Sequence, residues 1–84
     1  MIKVWYLPSN VEAKDEVIEI DNSLENLQEL VGGYIEYVPL DSKRTLVVNE
    51  EGLLMNLPIN NLATIMAKRH IVGNVVVIDN KDLN

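Results

Sequence analysis

Leu24-Glu25-Asn26-Leu27-Gln28-Glu29-Leu30-Val31-Gly32-Gly33-Tyr34-Ile35-Glu36-Tyr37-Val38 is the stretch on which the fold turns. Leu24, Leu27, Leu30 and Val31 recur at helical spacing, and Gly32-Gly33 supplies a C-terminal stop. Asn22, followed by Glu25 three positions later, is a capping-box-like start, so a short amphipathic helix is expected over residues 23–31. Tyr34 to Val38 then reads as a strand that Pro39 ends. The hydrophobic period changes from helical to alternating across two glycines, so helix and strand follow one another without a linker.

Working outward, Asp41-Ser42-Lys43-Arg44 is a polar turn and Thr45 to Asn49 the returning strand of a hairpin. Asn49-Glu50-Glu51-Gly52 is a second tight turn, after which Leu53-Leu54-Met55 extends the meander. Beyond Pro58, Asn60 or Asn61 caps a second helix near residues 61–69, with Leu62, Ile65 and Met66 on one face. Val72-Gly73-Asn74 turns the chain into a last apolar strand, Val75 to Ile78. Upstream, Ile2 to Leu7 is β-branched and aromatic and closes on Pro8-Ser9-Asn10. Glu16 to Ile20 places Ile18 and Ile20 on one face, with Val17 and Glu19 on the other. The expected order is β-β-α-β-β-β-α-β. That predicts an α+β domain over residues 1–84, a mostly antiparallel sheet of five to six short strands with two short helices covering one face.

The chain has 84 residues, no cysteine and a formal net charge of −6, with 48% hydrophobic and 24% charged residues. This is one domain near the small end of what folds without staples, and no disulfide is available to it. The composition excludes disorder as a description of the whole. Its longest apolar runs, such as Val75 to Ile78, fall far short of the roughly 20 residues that span a bilayer. Met1 to Trp5 lacks the pattern of a signal peptide. A soluble, cytoplasmic protein without membrane contact is expected. The acids concentrate before residue 42, and the second half is close to neutral, with basic spots at Lys43-Arg44 and Lys68-Arg69-His70.

The segment Leu27 to Glu36 with Val38-Pro39-Leu40, and a second one from Val47 to Leu54 with Leu57-Pro58, Asn60 and Ala63-Thr64, resemble a family of short phage and Firmicute proteins. That family is catalogued as domain of unknown function 3846. Ile71 to Ile78, with Gly73-Asn74 before the strand, is similar to the family's C-terminal end. The resemblance covers roughly residues 2–79. Neither segment is a catalytic signature. The resemblance implies a phage-type accessory protein acting in the host bacterial cytosol, and it carries no activity over to any residue here.

The residues themselves point away from catalysis. There is no Cys, one His, and three serines in polar turn or cap contexts, so no nucleophile has a base placed for it. His70 has no second ligand for a metal and is read as a surface residue at a helix C-terminus. Glu50-Glu51 before Gly52 is read as a solvated turn, not an acid/base pair, because adjacent side chains diverge. Gly32-Gly33 ends a helix, whereas a phosphate loop starts one. No cofactor is expected. The acidic stretch from Glu12 to Glu29 is read either as a solvated face or as a phosphate-backbone mimic. A chain of net −6 disfavours duplex nucleic acid. Tyr and Trp carry polar tips that suit interfaces. By alternation Trp5 and Tyr6 point to opposite faces.

The leading expectation is a non-enzymatic counter-defence protein that sequesters a small anionic ligand, such as an immune signalling nucleotide. Lys43, Arg44 and Arg69 would contact phosphates and Tyr34 or Tyr37 would stack on a base. The alternative is a protein-interaction inhibitor or adaptor that blocks a host protein through its acidic face or a sheet edge. A homo-oligomer is expected on size, since such a domain buries only about 60% of its unfolded surface. The strand Val75 to Ile78 calls for cover on both faces or a central place in the sheet.

Overall fold

A computed structural model describes residues 1–83. Five strands form one sheet: β1 (Ile2–Leu7), β2 (Glu16–Ile20), β3 (Ile35–Pro39), β4 (Arg44–Asn49) and β5 (Val75–Asp79). Helix α1 (Leu24–Val31) joins β2 to β3, and α2 (Asn61–Ala67) lies between β4 and β5. A 3-10 turn, Asn80–Asp82, follows β5. The strand order is β2-β1-β5-β4-β3 and every pairing is antiparallel. The α+β class and the antiparallel sheet thus stand, with five strands.

The sixth strand does not form. Leu53 to Met55 lie in a run of turns, because Met55 N–H donates to Glu51 O and Leu57 N–H closes back on Gly52 O. The helices also do not share a face. Alternation sends Leu46 and Val48 of β4, and Val75 and Val77 of β5, into one core with Leu7, Val38, Ala63 and Ile71. Val47, Val76 and Ile78 point the other way, into a second core with Val4, Leu27 and Val31. Both faces of β4 and β5 are therefore apolar, and one helix can cover only one of them. Strand β5 takes the central place its composition called for, and Trp5 and Tyr6 pack against opposite cores.

The helix caps refine the sequence reading. Ser23, not Asn22, caps α1: its Oγ accepts from Asn26 N–H at 3.2 Å. Asn22 donates its Nδ2 to Asp82 O at 2.8 Å, which ties the helix start to the C-terminal turn. Gly32 closes α1 in the left-handed region at φ 82, as a glycine stop should. Helix α2 ends at Ala67 with Lys68 left-handed, two residues earlier than expected, so His70 lies beyond the helix. Its inward face is Ala63, with Met66 and Ala67, which leaves Leu62 and Ile65 on the exposed side.

Asn60 caps α2 from a fully buried position. Its Oδ1 accepts from Ala63 N–H at 3.1 Å, and its Nδ2 donates to both Leu7 O and Gly73 O at 2.9 Å. One amide thus joins the end of β1, the turn before β5 and the start of α2. Asn60→Ala removes the cap and orphans two carbonyls, so it should cost about 3 kcal/mol and lower the thermal midpoint by more than about 10 °C. Calorimetry of the variant checks this; a midpoint within a few degrees of the parent contradicts it.

Candidate interaction surface

The loop between β4 and α2 is where exposure and order part company. Asn49 ends β4 and is buried. Its Nδ2 donates to Val31 O at 3.1 Å and lies 3.7 Å from Met55 Sδ, while its Oδ1 accepts from Glu51 N–H at 2.8 Å. Glu50 N–H donates to Tyr34 O at 2.8 Å, so the loop starts locked to the entry of β3. On the other side Gly73 N–H donates to Pro58 O, and Ile59 bridges Val72. Leu57 fills the space between them: a Cβ on Gly73 (φ +80) would stand 2.8 Å from Leu57 Cδ1. Asn56 takes a left-handed conformation to complete the reversal.

This scaffold presents apolar side chains to water. Leu53 is 69% exposed, Leu54 82% and Met55 51%, and Tyr34, beside the loop's first bond, is 65% exposed. Sequence reasoning took Leu53 to Met55 for a strand and so missed them as a surface. The available signal was Gly52, Asn56 and Pro58, turn residues that bracket the apolar triplet on both sides.

Lys43 and Arg44 sit at the turn from β3 to β4, where Asp41 Oδ1 accepts from both backbone N–H groups at 2.8 and 2.9 Å. The Arg44 guanidinium lies 3.9 Å from Asp41 Oδ2 and is partly neutralised there. Ser42, Lys43, Asp79, Asn80 and Lys81 line an open groove of about 330 Å³ beside this turn. Lys81 is a cation of this groove that the sequence reading did not select. Tyr34 lies at the far end of β3, about 17 Å from Pro39 at roughly 3.3 Å per residue. Tyr37 shares the α1 face with Ile35, whereas alternation puts Arg44 on the α2 face with Leu46 and Val48. Arg69 is exposed in the segment after α2. Within one chain, then, Lys43 and Arg44 come together, and the two tyrosines stand apart from them. Two smaller open grooves of about 200 Å³ flank Ser9, one against α2 and one behind Met55.

Among the described residues no three His, Cys, Asp or Glu side chains group to hold a metal ion, and no helix is long and apolar enough to cross a membrane. Burial first, and the Glu16 carboxylate across the strand pair second, push the Tyr6 phenol above its ordinary 10.0. Backbone donations from Lys43 and Arg44, reinforced by their positive charges, hold the Asp41 carboxyl below its ordinary 3.8. A carboxyl depressed on folding stabilises fully above its unfolded value and loses that effect as pH falls through the folded one. The stability difference between the protein and Asp41→Asn should therefore shrink as pH drops below 3.8. Urea unfolding of both proteins across that range checks it; a gap independent of pH would remove the carboxylate's role.

Neither a curated protein nor a solved structure matches the chain. Residues 2–83 match the family described as Domain of unknown function (DUF3846), nearly the whole chain, and the protein therefore belongs to that family.

Proposed function

We propose that this protein is a non-enzymatic binding module that occupies another protein through the loop Leu53–Met55. The supporting observation is the contrast between how firmly the loop is held and how little its side chains bury. A buried asparagine and a closely packed Leu57–Gly73 contact fix its backbone, yet its large apolar groups stay in water. Ordered apolar side chains on a loop suit docking, because the ordering entropy is spent before the partner arrives. The grooves of the described residues, one of them behind Met55, are open, which supports a protein partner over an enclosed small molecule.

A random peptide library selected on the immobilised protein tests this. Leu54→Asp changes a side chain that is mostly exposed, so it should leave stability within about 0.5 kcal/mol. It should weaken the selected peptides by about tenfold or more, since a buried leucine contributes about 1.5–3 kcal/mol. Selected peptides that bind Leu54→Asp as well as the parent would overturn the reading.

A second reading keeps the anionic ligand, such as an immune signalling nucleotide. It is favoured by Lys43 and Lys81 lining one groove with the Ser42 hydroxyl, and weakened by Asp79 in the same groove. A nucleotide at 100 times its Kd would add about 2.7 kcal/mol, roughly 10 °C or more for so small a domain. Thermal shifts across cyclic and linear nucleotides, lost in Lys43→Ala with Lys81→Ala, would promote this reading; a flat panel would remove it.

A further inference from the structure

We infer that the partner enters as an extended strand added to the free edge of β3, with apolar and basic residues alternating along it. The inference rests on the protein-docking reading above and says how that partner is recognised. Two bonds fix the phase of the edge. Leu40 N–H donates to Arg44 O, and Glu50 N–H donates to Tyr34 O, so the even-numbered residues from Tyr34 to Leu40 face β4. The N–H and C=O groups of Ile35 and Tyr37 therefore point away from the sheet. Strand β3 is last in the strand order, and no described backbone group pairs with them. Pro39 falls on the same outward phase and offers a carbonyl without a donor.

That proline argues against a second copy of this chain as the occupant. Antiparallel pairing of two β3 edges about Tyr37 sets Pro39 of each copy opposite Ile35 of the other, and both donations from position 39 are missing. A segment from a different protein, without proline, meets every outward group from Ile35 to Tyr37. Charge then sets its composition. Ile35 packs on the α1 core and Tyr37 shares its face, while Glu36 lies exposed on the other. Glu50 is bonded to Tyr34 from the β4 side just before β3 begins, and the cations Lys43 and Arg44 lie beyond Pro39. Alternation in the incoming strand puts apolar side chains beside Ile35 and Tyr37 and basic ones beside Glu36.

The probe is a labelled peptide of strictly alternating lysine and valine, long enough to span β3, titrated into the isotope-labelled protein. Amide exchange at Ile35 and Tyr37 should slow by about tenfold or more while Glu36 and Val38, already bonded to β4, change little. A central proline in the peptide, or glutamate in place of lysine, should abolish the effect. Tyr37→Pro should do the same: it removes an outward N–H, no bond to β4, and its fold is checked by its melt. No binding at millimolar peptide, or binding without protection at Ile35 and Tyr37, would overturn the inference. Library peptides that lose Leu54→Asp but keep Tyr37→Pro would sink the edge and spare the loop reading. Protection at Ile35 and Tyr37, with library peptides indifferent to Leu54→Asp, would do the reverse.

Discussion

Two adjacent strands that are apolar on both faces govern everything else in this molecule. Leu46, Val47, Val75, Val76 and Ile78 are at most 1% exposed, and they point alternately to the two sides of the sheet. Leaving either side in water would expose several of them at about 1.5–3 kcal/mol each. The chain therefore divides its two helices between the faces, and β4 and β5 are flanked inside the sheet by β1 and β3. The edges then fall to β2 and β3, whose exposed residues include Glu19 and Glu36.

Short helices on a small sheet need their connections fixed, and polar hubs do this here. Asn60 gathers β1, α2 and the turn before β5; Asn49 gathers α1, β4 and the loop that follows. Among the described residues no buried side-chain polar atom lacks a partner. Burying an amide is unfavourable unless it is fully bonded, and both asparagines are bonded at each end of the group. Several residues that carry the family resemblance, Gly32, Asn49, Gly52, Asn60 and Gly73, serve these joints. They hold the proposed binding surface in place without forming it.

The surface itself is made of residues with no chemistry of their own. Leu53, Leu54 and Met55 are unremarkable as types and stand out only because the loop beneath them is ordered while they remain in water. The edge of β3 is likewise a property of backbone groups and of their phase. A protein that binds through such features leaves no catalytic signature. Two of the three serines have structural partners: Ser23 Oγ caps α1, and Ser9 Oγ donates to Asn74 Oδ1.

Much of the architecture was legible along the chain. Helical spacing ending on Gly32-Gly33, alternation in Glu16 to Ile20, and the hairpin about Asp41 to Arg44 each follow from local geometry, and local geometry is what a linear pattern encodes. The need of Val75 to Ile78 for cover on both faces was also readable. What the sequence left open was long-range. Leu53 to Met55 looked like a strand because an apolar triplet has no period of its own, and only the bonds from Asn49, Gly52 and Tyr34 decide for turns. Asn22 read as the cap of the first helix, but its side chain engages Asp82, some sixty positions away, and Ser23 caps instead. The grouping of Lys43 with Lys81, and the distance of both from Tyr34, depend on which strands are neighbours. Strand order is settled by the packing of two faces at once, and no window of sequence contains both.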